Sequence, residues 1–170
     1  MKRLLFMLAS LCLAVASFAA EPRPRALDKA TVLPLALDDS FQFRKTITYL
    51  NDPEINKSSF DGMINFERAY INYGAINSFE RRQRYGSYYK FFWRSTRKAD
   101  LTVRFEYRQQ NLGAFVQAKE YTYSAAKGSF ESEFKVVGND YFEDGRVSGW
   151  RVLLIENGKI VGLTQSFLWN

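Results

Sequence analysis

The chain contains no histidine, and its single cysteine, Cys12, falls within a leader-like start. Lys2 and Arg3 are followed by an apolar stretch from Leu4 to Val15, too short to span a bilayer, and then by the small residues around Ser17-Phe18-Ala19 that a signal peptidase reads. This predicts a signal peptide over 1–19, cut between Ala19 and Ala20, and an exported protein, periplasmic or secreted. Leu11 stands where a lipoprotein signal needs a small residue before its cysteine, so a lipid anchor is not expected. The mature chain would then lack a thiol nucleophile, an imidazole base, a soft metal ligand and any disulfide. Such a chain is held by its core alone, which suits a bacterial envelope and makes the tripeptide Asn56-Lys57-Ser58 an accidental glycosylation pattern. Without histidine, a serine nucleophile needs a lysine base, and serine hydrolysis is disfavoured. No motif implies a cofactor or a metal.

An excess of one charge is nearly missing too. Removing Lys2 and Arg3 from 24 basic residues leaves 22 against 18 acidic ones, a formal charge of +4. Nucleic-acid binders concentrate a larger excess, so the expected partner is an envelope protein or an anionic polymer, with no nucleic acid. No stretch of the mature chain reads as a transmembrane segment, and oligomeric state is left open. About 150 residues make one domain.

Proline is absent after position 53 and glycine before position 62, which divides the chain into unlike parts. Residues 20–37, with Pro22, Pro24 and Pro34, read as an extended lead-in, and residues 38–170 as the domain. In the domain, Leu101, Val103, Phe105 and Tyr107 alternate with Thr102, Arg104, Glu106 and Arg108, and Phe130 to Val136 alternates likewise, the period of half-buried strands. Asn157-Gly158 joins Val147–Ile155 to Ile160–Trp169 as a type I′ hairpin. Phe41–Leu50, Met63–Ile76, Ser87–Ser95 and Phe115–Ser124 complete eight strands. Phe66, Ala69, Tyr70 and Tyr73 in the second of these also satisfy a helical spacing, but Asn65, Asn72 and Gly74 weaken a helix, and strand is favoured.

The expected fold is all-β: a single antiparallel β-sandwich, immunoglobulin-like or fibronectin-III-like, with Trp93 and Trp150 in its core. The alternatives are an eight-stranded barrel, soluble or in the outer membrane. Lys90 and Arg94 on the face of Tyr88 and Phe92, and Arg151 on the face of Val147 and Leu153, spoil the apolar outer surface that a membrane barrel requires.

The sharpest cationic cluster is Arg81, Arg82 and Arg84 beside Phe79 and Tyr85, extended by Lys90, Arg94, Arg97 and Lys98. Guanidinium groups bind carboxylate, sulfate or phosphate in bidentate fashion, which makes Arg81, Arg82, Arg84, Tyr85, Lys90 and Arg94 the candidate partner-binding residues; the plainer reading is a solvated loop. Glu131 and Glu133 project from one strand face about 7 Å apart. That pair suggests a glycosidase, although an exposed polar face explains it fully. Asn139, Asp140, Glu143 and Asp144 bring hard oxygen ligands into one loop, yet their spacing is not that of an EF-hand and turn chemistry accounts for them. Tyr141 and Phe142 of that loop are expected to plug a corner. The aromatic run from Tyr88 to Trp93 reads as a strand covered on both sides, or as one exposed aromatic-cationic face. The expectation is therefore an exported, non-enzymatic β-sandwich module of the bacterial envelope that binds a protein partner or anionic surface polymer. The rivals are a carbohydrate-active protein using Glu131 and Glu133, or a structural subunit whose lead-in adds a strand to a neighbour.

Overall fold

A computed structural model describes residues 23–52, 54 and 61–169. The expected signal peptide with Cys12 and the tripeptide Asn56-Lys57-Ser58 lie outside them. The described residues are mostly antiparallel sheet, in six strands that do not close into a barrel. These are β1 (Arg25–Leu27), β2 (Phe41–Asn51), β3 (Gly86–Gln109), β4 (Gln117–Val137), β5 (Val147–Glu156) and β6 (Lys159–Gln165). The order is β1-β4-β3-β5-β6, and β2 also pairs with β3.

Four expected strands merge into two. Ser87–Ser95 and Leu101–Arg108 are one strand, β3, while Phe115–Ser124 and Phe130–Val136 are β4. The pair forms a long hairpin that bends where its register shifts, between Ser95 and Leu101, opposite Ala125 at φ 49° and Gly128 at φ 113°. The bend is sharp. On a straight strand Phe91 and Phe105 would stand about 46 Å apart at roughly 3.3 Å per residue, yet their ring centroids are 5.6 Å apart. The hairpin therefore folds over on itself, and its two halves supply facing layers of one continuous sheet. β2 flanks the first half of β3 and β5 flanks the second.

The core lies between these layers. Phe91, Phe105 and Phe134 are fully buried, with Phe105 and Phe134 stacked at 5.1 Å and Tyr89 against Phe105 at 4.8 Å. Truncating one of these phenylalanines to alanine should cost about 3–5 kcal/mol. Trp93 is buried as expected and donates from its indole to Ser132 Oγ at 2.9 Å. Trp150 is partly buried against the same cluster.

Met63–Ile76 is not a strand. Gly62–Asn72 is a helix, α1, whose N-terminus is capped by Asp61 accepting from the Met63 amide at 2.9 Å; the cap and the helical spacing of Phe66, Ala69, Tyr70 and Tyr73 outweigh the weak helix formers. Short helices α2 (Ser78–Arg82) and α3 (Asn139–Asp144) precede β3 and β5.

The lead-in straps the second layer. β1 pairs with β4 at Ala118–Glu120. Further on, Leu33 packs on Leu153, Ile155 and Ile160, and Ala36 and Asp38 donate to the carbonyls of Ile160 and Val161 at 2.8 and 3.0 Å, beside a parallel bridge from Leu35 to Ile160. Arg97 locks the end of the strap by binding Asp38 at 2.9 Å and Glu156 at 2.6 Å. Beneath it the buried Glu106 accepts from Arg151 at 2.6 Å, while Arg104 binds Glu120 at 2.7 Å and the Thr31 carbonyl at 3.1 Å. These charges are paired and covered, as burial demands.

Candidate functional site

The six candidate residues do not form one patch. Arg84 donates to the carbonyls of Ile71, at 3.0 Å, and Tyr73, pinning the end of α1. The Arg82 guanidinium lies 4.0 Å from the Phe142 ring centroid, and Tyr85 meets the edge of the same ring. Arg81 is exposed on α2. Lys90 and Arg94 are elsewhere, on the outer face of the first layer, where Lys90 stands 3.6 Å from Glu131. A guanidinium already spent on backbone carbonyls offers little to an anion, so Arg84 is an internal brace, while Arg81 and Arg82 remain exposed.

Glu131 and Glu133 share that outer face as expected, on an open sheet surface, with Glu133 3.3 Å from Lys135. Tyr88 of this face is buried and Phe92 half-buried, while Tyr89, Phe91 and Trp93 fill the core side. Serines three residues before a lysine, such as Ser87 before Lys90 and Ser132 before Lys135, sit on strands, where that spacing points the two side chains to opposite faces. Asn139, Asp140, Glu143 and Asp144 lie on α3, held by Lys119 at 3.5 Å from Asp140 and by Asn111 donating to the Glu143 carbonyl at 2.8 Å. Among the described residues no three histidine, cysteine, aspartate or glutamate side chains cluster as a metal site. Tyr141 does plug a corner: it is buried, and its hydroxyl donates to Asp52 at 2.7 Å. Phe142 stays part-exposed under Arg82.

Two features emerge that the sequence reading did not single out. The first is α1 itself. Its half-buried residues are Ile64, Arg68, Ile71 and Asn72, with Asn72 bonded to Asn51 at 3.2 Å. Its outward stripe is Met63, Phe66, Tyr70 and, just past its end, Tyr73, followed by Ile76 and Phe79; these six are 68–85% exposed. A surface helix ordinarily turns such a stripe inward. The i, i+3, i+7, i+10 spacing was visible in the sequence, but not the direction in which it would point.

The second is a cleft of about 530 Å³ where the seam between β2 and β5 opens. At the start of β2, Phe41 is buried and its carbonyl comes so near β6 that a Cβ on Gly162 would lie 3.2 Å away. Towards the other end the core-facing positions become Thr46 and Thr48, too small to close the seam, and Thr48 is exposed. The opposite wall carries Trp150 and Arg146, and the C-terminal turn Phe167–Trp169 borders the mouth. That turn needs Gly149, whose added Cβ would fall 2.8 Å from the Leu168 carbonyl oxygen. Arg146 stands 3.4 Å from Asp52, the carboxylate that also accepts from Tyr141. Burial, partly offset by a hydrogen bond to Ser87, pushes the Tyr89 phenol up to about 12, so it remains a neutral donor at ordinary pH.

No helix of the described residues is long and apolar enough to cross a membrane. Compared with protein-family models, with curated proteins and with solved structures, the chain matches none.

Proposed function

We propose that the protein is an exported, non-enzymatic, sandwich-like binding module of the bacterial envelope, and that the α1–α2 projection docks into an apolar groove of an envelope protein. The carrying observation is the outward stripe Met63, Phe66, Tyr70 and Tyr73, an arrangement of anchors that fits helix-in-groove recognition. Contiguous exposed aromatic side chains on a soluble surface mark interaction sites. The chemistry favours a protein over an anionic polymer, because the exposed stripe is apolar and Arg84 is committed to carbonyls. Exposed Arg81 would sit on the rim, where charge steers encounter more than it adds affinity.

Capture with crosslinking from the native envelope fraction tests this. Changing Phe66 and Tyr70 together to serine is expected to remove a specific captured protein, weakening its binding by about thirtyfold for each anchor of roughly 2 kcal/mol. Arg81→Ala should slow association and reduce its salt sensitivity, and Glu131→Gln with Glu133→Gln should change nothing. Capture that survives loss of the stripe, or stripe-dependent flotation with anionic vesicles in place of a protein partner, would overturn the reading.

A further inference from the structure

We propose that the cleft between β2 and β5 is a separate binding site for a small amphipathic monoanion, with the acid group on Arg146 and the apolar body between Trp150 and Phe167. About 530 Å³ falls within the range of small-molecule sites and suits a ligand of modest size. The lining is unlike an ordinary surface groove. Among the described residues it contains one cation, Arg146, no carboxylate, the rings of Tyr89, Trp150 and Phe167, and the hydroxyls of Thr48 and Ser166. Asp52 sits behind Arg146, almost fully buried and already accepting from Tyr141. It orients the half-exposed guanidinium at 3.4 Å without filling the cleft. The guanidinium spends one N–H on Asp52 and keeps others for one carboxylate, which selects a single negative charge. The rings set about what the rest of the ligand must be: flat or flexible, and apolar.

The site is held open by design of the chain. Thr48 leaves space where Phe41 and Phe43 fill the same strand face nearer the start of β2, and Gly149 lets the C-terminal turn carry Phe167 to the rim. Phe167 borders the cleft and is 91% exposed. Neither feature involves α1, so this site and the projection stand or fall separately.

Calorimetric titration of the full chain with 2-naphthoate, its neutral analogue 2-naphthamide, and decanoate tests the proposal. One naphthoate or one decanoate is expected to bind per chain, with the amide about tenfold weaker or more, since a charge-assisted bond to Arg146 is lost. Arg146→Gln should lower the acids to the level of the amide, and Thr48→Phe, which fills an exposed position, should abolish binding of all three at unchanged thermal stability. Phe66→Ser should leave binding intact. The proposal fails if neither acid saturates below about 1 mM, if the amide binds as tightly as the acid, if Thr48→Phe leaves binding unchanged, or if Phe66→Ser removes it. Should Arg146→Gln prove unfolded, Thr48→Phe and the acid-to-amide ratio decide.

Discussion

Tyr88, Tyr89 and Tyr107 give a chain without histidine its pH response. Burial raises all three phenols, Tyr89 to about 12. An acid whose folded pKa lies above its unfolded value of about 10 binds its proton more tightly when folded, so its contribution is complete below pH 10 and is lost as pH rises through the folded value. Stability is therefore expected to be nearly flat from about pH 6 to 9, and then to fall by on the order of 2 kcal/mol for Tyr89 alone by about pH 12. Chemical denaturation across that range, with tyrosinate absorbance followed in parallel, checks this; a steep loss near pH 7 would refute it. Residue type also sets what a cluster of arginines leaves unsaid in a sequence. Composition counts charges, whereas binding needs unspent donors, and Arg84 spends its guanidinium on the end of α1.

The β5–β6 hairpin was legible because its signal is a backbone requirement: Asn157 and Gly158 take φ of 49° and 72°, and few residues tolerate that pair. A Cβ on Gly158 meets nothing within 4 Å, so Gly158→Val should cost about 1–3 kcal/mol through conformation alone. An unchanged denaturation midpoint would show that the turn carries no such demand. The alternation of β3 and β4 was equally plain, but their continuity was not, since a bend and a break both appear as polar or glycine-containing interruptions. For α1 the spacing of aromatic residues fitted two periods, and the cap at Asp61 decided between them. Its orientation is fixed by distant partners, Asn51 and Arg84, which no local pattern announces. The cleft left only a faint trace, threonine replacing phenylalanine along one face of β2.

For the whole molecule, the strap over residues 23–38 covers two edges and one face of the second layer. Deleting residues 23–37 would bare the β4 edge, Leu153, Ile155 and the Glu106 network, and the shortened chain is expected to self-associate, read by light scattering after size exclusion. A deletion variant that stays monomeric with unchanged stability would deny the strap this role. Arg25–Leu27 waits for β4, and Leu35 waits for Ile160. A chain delivered from its N-terminus, whether by a ribosome or through a membrane pore, thus offers its earliest segment long before the last strand exists to receive it. The strap's place beside Ile160 therefore exists only once the β5–β6 hairpin has formed.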